Sequence, residues 1–351
     1  MPKEHRIDAK PGEIYRIFST EKQTAKVNAS GKSSTVRIGG VYQEPGQEVE
    51  LPPIVNPVVS PPVVTPPVMP PASEKIVPVT NITDLRKYLA DNSVDKIICE
   101  DGRYIANQGT TAGSLWIGSQ AAGGTPFAER TRPIIVQARN KHKAIIEGGY
   151  LSFEDGAHDQ VWDGFRHSNM TVTSNGVINF GGYFARRAPH HITIRNLWID
   201  DTCKASHGPS GTQDHAIYPA HALGLGPGWI TVEDFRIDAA NLNGALHSWH
   251  PEPGQEGLPG HDMTFRRGII TKPWWGLVGG HTTVIKNWLI EDIRIEDARN
   301  CAIGWYELNQ VEMTLRRVVT VRSAKVFKFS GSVKPIPPGV PGMIFEDCSF
   351  A

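Results

Sequence analysis

The sequence predicts an all-β chain wound as a right-handed parallel β-helix, and three observations carry that reading. A six-residue pattern recurs along the chain, its copies alternate apolar with polar residues, and no ten-residue helical pattern separates them. The clearest copy is 290–295 (IEDIRI). It aligns without a gap on 194–199 (IRNLWI), 232–237 (VEDFRI), 265–270 (FRRGII), 315–320 (LRRVVT) and 345–350 (FEDCSF). With a weaker copy at 161–166 (VWDGFR), the steps from head to head are 33, 38, 33, 25, 25 and 30 residues. A repeat at such a period signals a stacked array, and alternating Ile, Val and Phe read as strand. Strands that repeat without crossover helices stack as coils about 4.8 Å apart. The shortest step suits one bare coil, and the longer steps are coils carrying loops. A β-sandwich, the chief rival, would use hairpin turns rather than copies in one register.

Composition narrows the function classes. The 351 residues carry zero formal net charge, so the chain lacks the field of a nucleic-acid or membrane-surface binder. Glycine (35) and proline (27) suit a loop-rich β chain. Cys99, Cys203, Cys301 and Cys348 are far apart and read as buried thiols, Cys348 taking the inward place that Phe235 holds in its sister copy. No run of 18 apolar residues provides a membrane-spanning helix. The opening residues show no apolar signal-peptide core, so secretion by that route is not expected.

Three segments follow in order. Residues 1–50 alternate in short bursts, such as 13–18 (EIYRIF) and 34–38 (STVRI), and predict a small β anchoring module. It is too short to bury much core alone. Residues 51–78 hold ten prolines among Val, Ile and Met, a polyproline II arm that serves as a spacer or docks in a partner's groove. The β-helix domain spans 79–351. It begins with a capping helix over about 81–91, where Ile82, Leu85 and Leu89 keep helical spacing after Thr80 or Asn81 as cap. Such a helix plugs the open end of the first coil. At the other end the chain stops inside a repeat strand, and 331–343 or a neighbouring subunit is expected to cover that edge.

From residue 94 the sequence resembles the opening of pectate-lyase-like β-helix proteins, which include chondroitinase-type polysaccharide lyases. The matching residues are 95–104 (DKIICEDGRY), 132–138 (RPIIVQA) and 144–148 (AIIEG). The resemblance implies a capping helix leading into the first coils, and it implies activity on polysaccharide, as a lyase or a glycoside hydrolase. The overall layout is also similar to that of bacteriophage tailspikes and related surface proteins.

The later coils carry a second strand: 215–218 (HAIY), 244–247 (GALH), 275–278 (WGLV) and 301–304 (CAIG). Ile217, Leu246, Leu277 and Ile303 are the equivalent inward residues. Counting four onward from each reaches His221, His250, His281 and Glu307. Residues at one offset on successive coils lie above one another, so this column has three readings. It is a structural stack, an acid–base or glycan site, or a divalent-metal site with His250 and His281 as ligands. No other cofactor is expected. Tyr218, His247, Trp249, Trp305 and Tyr306 lie on or beside the second strand and are the candidate glycan contacts, since aromatic rings suit sugar faces. Trp275, in register with Gly244 and Cys301, is expected to point inward. The pairs Arg266–Arg267 and Arg316–Arg317 are further candidates, for acidic sugars.

Two function classes follow. The first is a virion surface protein (tailspike, fibre or capsid decoration), made in the cytoplasm and docked to other virion proteins through 1–78. Its β-helix, as a trimer or a single solenoid, would bind cell-surface polysaccharide. The alternative is a polysaccharide-degrading enzyme, a lyase or a glycoside hydrolase.

Overall fold

A computed structural model describes residues 74–106, 115–118, 132–154, 156–170, 176–181, 189–200, 214–219, 228–240, 242–248, 260–279, 283–305, 308–329 and 342–350, with four short strands within the first 38 residues. It is a parallel β-helix built on two large sheets, one of eight strands and one of eighteen, with a separate two-stranded sheet formed by Glu4–Ala9 and Thr24–Ala29. Each later coil contributes one strand to the eight-stranded sheet and then a longer, bent strand to the other. The repeat heads fall into one register as the sequence predicts. Ile194 pairs with Val232, Val232 with Phe265, Phe265 with Ile290, Ile290 with Leu315 and Leu315 with Phe345. All six are buried, each side chain contributing about 1.5–3 kcal/mol by leaving water. The weak early copy is slipped by one residue. Trp162, not Val161, pairs with Ile194, because the bend of that coil falls on Gly164.

That bend explains the hexad. Its third residue takes a left-handed conformation in every coil: Gly164, Asn196, Asp234, Arg267, Asp292, Arg317 and Asp347 all have positive φ. Each hexad is therefore two short strands joined by a one-residue turn, where Asn, Asp and Gly are the least strained choices. The preceding residue alternates in charge from coil to coil, running Asp163, Arg195, Glu233, Arg266, Glu291, Arg316, Glu346. Arg266 meets Glu233 at 2.6 Å, Arg316 meets Glu346 at 2.6 Å, and Arg317 meets Asp292 at 2.6 Å. The Arg267 and Arg317 guanidiniums hold the Asp234 and Asp292 carboxyls below their usual range. The dibasic pairs are thus engaged in a coil-to-coil ion ladder. Exposed pairs of this kind are worth little singly. Like charges placed opposite would be destabilising, so the ladder favours this register over others.

At the N-terminal end the capping helix spans Ile82–Leu89, with Asn81 as N-cap accepting from the Asp84 backbone N–H. Leu85 and Leu89 are buried against the first coils. At the other end, strand Thr35–Ile38 pairs antiparallel with the final-coil strand Gly342–Glu346. The edge that the sequence leaves open is therefore met by this chain's own N-terminal strands. Cys99, Cys301 and Cys348 are buried free thiols, each pushed up to about 12 by loss of water; Cys203 lies outside the described residues. No helix among the described residues is long and apolar enough to cross a membrane.

Trp275 departs from expectation. It is buried, but with Val278 and Cys301 it forms an apolar cluster separate from the main core. The inward place beside it belongs to Gly276, where a Cβ would lie 3.0 Å from the Ile295 side chain and 2.4 Å from the Ala302 carbonyl oxygen. A larger residue at 276 has no room, so the tryptophan faces the other way.

Candidate functional site

The eight-stranded sheet keeps the register the column argument requires. Ile178, Ile217, Leu246, Leu277, Ile303 and Phe327 pair in succession, and all belong to the core. The next residue along forms a second column: Ser152, Asn179, Tyr218, His247, Val278, Gly304 and Lys328. This column meets the Trp275 cluster on the face turned away from the core. The Lys328 ammonium sits 4.7 Å from the centre of the Trp275 ring, and a Cβ on Gly304 would meet that ring at 2.3 Å.

Toward the first coils the same face becomes polar. Asn179 closes on its own strand, its side-chain amide donating to the Gly176 carbonyl at 3.0 Å while its Oδ1 accepts from the Gly176 N–H at 2.9 Å. On the neighbouring strand His215–Pro219, Tyr218 tilts against His215 with ring centres 5.0 Å apart. Asp214 and His215 are buried while Tyr218 keeps partial access to solvent. Two strands before His215–Pro219, the buried Ser152 hydroxyl donates to the buried Glu154 carboxylate. Ionisable groups withdrawn from water on an outward face are the usual materials of proton transfer.

His221, His250, His281, Glu307, Trp249 and Tyr306 lie outside the described residues, as do the side chains of His247 and Trp305. His247 is described as a strand position between Tyr218 and Val278, and Trp305 pairs with Gly279 and Phe329. Among the described residues no three His, Cys, Asp or Glu side chains converge as a metal site.

A second group of residues stands where the chain enters the long sheet. Four residues before each repeat head stand His158, His190, Gly228, His261 and Lys286; three before stand Asp159, His191, Trp229, Asp262 and Asn287. His158 stacks on His190 at 5.2 Å, and His191 stacks on Trp229 at 4.9 Å. His261 meets the indole edge-on at 4.7 Å. The Nδ1 atoms of His158 and His261 are bonded by the carboxylates of Asp159 (2.8 Å) and Asp262 (2.7 Å). The Nδ1 atoms of His190 and His191 share one hydrogen bond of 2.8 Å. Burial lowers the His190 pKa, and the neighbouring His191 and His158 lower it further. The sequence reading missed this ridge because it counted onward from the second strand. Counting backward from the repeat heads finds it.

No family model and no curated protein matches the chain. Solved structures do. An arginine-to-alanine mutant of the PL6 family alginate lyase AlyGC is 10% identical with a TM-score of 0.36, over 72% of this chain and 40% of that chain. This chain thus spans less than half the length of that lyase. A mannuronic acid specific polysaccharide family 6 lyase from human gut microbiota is 11% identical with a TM-score of 0.34, over 79% of this chain and 82% of that chain. The catalytic domain of a GH87 alpha-1,3-glucanase is 10% identical with a TM-score of 0.32, over 80% and 70%. At such identity no residue's role carries across. By its own strand pairing the chain is a parallel β-helix, its coils stacked in one register from end to end of the described strands.

Proposed function

We propose that the chain binds a polysaccharide along the outward face of the eight-stranded sheet and cleaves it by proton transfer. The observation that carries this is the Asp214–His215–Tyr218 group, an acid and an imidazole withdrawn from water beside a phenol that solvent reaches. Elimination fits this group better than two-carboxylate hydrolysis. Hydrolysis needs paired carboxyls about 5–9.5 Å apart. Glu154 follows Phe153, which stacks through Phe180 onto Pro219, so it lies six positions along the strand direction from Asp214, roughly 20 Å. In an elimination on a uronate-containing chain, a base takes the proton beside the carboxyl group. The ring double bond forms as the bond to the leaving oxygen breaks, and an acid returns a proton to that oxygen. His215 and Tyr218 supply the two proton-transfer groups.

Incubation of the full chain with alginate, polygalacturonate and a soluble α-1,3-glucan tests this, following the ultraviolet absorbance of unsaturated product. The native chain is expected to act on one of the uronate polymers. Tyr218→Phe, which keeps the ring against His215 and loses only the hydroxyl, is expected to be slower by about 100-fold or more. No product from any polymer, or an undiminished rate in Tyr218→Phe, overturns the proposal.

Display on a virion through residues 1–78 is a second proposal, favoured by the valine-rich run of ten prolines in 51–78. A chain with Val58, Val59, Val63 and Val64 all changed to Ser, which spares the paired strands Thr35–Ile38 and Ile76–Val79, is then expected not to enter particles, and undiminished incorporation overturns it.

A further inference from the structure

We propose that His191, Trp229 and His261 form a saccharide-contacting ridge at the entry to the long sheet, a subsite that rests on the polysaccharide reading above. The first argument is conformational. Trp229 has φ 50, in a column whose other members are Asp159, His191, Asp262 and Asn287, with φ between 51 and 54. Asn, Asp and His tolerate the left-handed region, whereas a bulky aromatic residue there is an outlier. Strained backbone persists where the surroundings over-determine it, and it gathers at ligand sites.

The second argument is exposure. Trp229 is 38% exposed, and the other large exposed apolar side chains among the described residues are isoleucines. An indole that served only packing would gain by being covered. This one is stacked face to face on His191 and set at a right angle to His261, yet it stays open to solvent. The third argument is Gly228. A Cβ there would fall 2.3 Å from the His261 ring, so its absence lets that imidazole lean down against the indole and continue the row begun by His158 and His190.

The product is a strip of ring edges running along the solenoid axis over four coils, three steps of about 4.8 Å. Its centre is apolar and its flanks carry imidazole nitrogens that donate or accept. Asp159 and Asp262 balance any charge on His158 and His261, so the strip is not an anion trap. A pyranose, with apolar faces and a rim of hydroxyls, is the ligand class that matches both features. On the polysaccharide reading, the strip would hold sugar rings other than the one undergoing reaction.

Trp229→Asn tests the ridge without the usual ambiguity. Asn287 already occupies the equivalent position at φ 54, so asparagine suits the backbone there and the Tm is expected to hold or rise. The probe is affinity electrophoresis of the full chain in gels containing alginate, polygalacturonate or soluble α-1,3-glucan. The native chain is expected to be retarded by one of them, and Trp229→Asn to bind that polymer at least tenfold more weakly. Should Trp229→Asn fail to fold, Trp229→His carries the same test, because His191 shows that residue type in the same column. A variant retarded as strongly as the native chain overturns the ridge, whatever Tyr218→Phe does to turnover. Native chain retarded by none of the three overturns the ridge together with the polysaccharide reading.

Discussion

Gly268→Val is expected to cost about 3 kcal/mol of stability, from overpacking of a filled core. Gly268 belongs to the inward column that includes Phe235 and Ile293. It is the position whose missing side chain is replaced by a neighbour. A Cβ there would lie 2.2 Å from Phe235 Cζ, closer than atoms can approach. The Phe235 ring, itself buried, has bent across the coil into that space. Valine would gain a few tenths of a kcal/mol in strand preference, well below the cost of displacing an aromatic ring inside a packed solenoid. The two positions must therefore be coupled. Phe235→Ala alone is expected to cost about 3–5 kcal/mol by opening a cavity. Made together with Gly268→Val, it should cost at least about 1 kcal/mol less, because the added valine side chain fills part of that cavity. Urea unfolding of the four proteins in the cycle gives the answer; purely additive costs would show that ring and glycine do not compete for one space.

His167→Ile is expected to stabilise the chain, and more so in acid. His167 pairs with Ile146 below and Ile199 above, so an imidazole occupies a column of isoleucines. It is 2% exposed, and its Nδ1 has no hydrogen-bond partner among the described residues. Burial drives its pKa down to about 3. The folded state thus refuses a proton that the unfolded chain accepts at its ordinary value near 6.5. Stability must fall as pH drops below about 6.5 and continue to fall until about 3. By pH 5 the loss amounts to about 2 kcal/mol. Isoleucine removes both this loss and the unpaired nitrogen, the latter worth about 1–2 kcal/mol at neutral pH. Unfolding of native and variant proteins at pH 7.5, 6 and 5 should give curves that diverge with acid. Parallel curves would mean that His167 finds a way to be charged inside the coil.

Much of this architecture could be read from the chain alone, and the reason lies in particular columns. Ile217, Leu246, Leu277 and Ile303 share one inward line because a parallel coil returns each equivalent residue to the same face. The capping helix was legible through Leu85 and Leu89 at helical spacing. Val161 was misplaced by one residue because its head carries a tryptophan, and the turn glycine, Gly164, was the truer marker of register. Trp275 was misread because a sequence shows which residue is large but not that Gly276 holds the inward place. The arginine pairs looked available for ligand until the coils above and below supplied their carboxylates.

The amino-acid order by itself determined the solenoid, its register, its helical cap and the buried thiols, since each follows from periodicity or from one residue's size and polarity. Only the tertiary structure decided which charged groups are consumed by their neighbours and which rings meet at the corner. His191, Trp229 and His261 are 38 and 32 residues apart in sequence yet within 5 Å as successive rings. Their meeting depends on loop lengths that vary from coil to coil, and on a glycine that lets one ring lean onto the next.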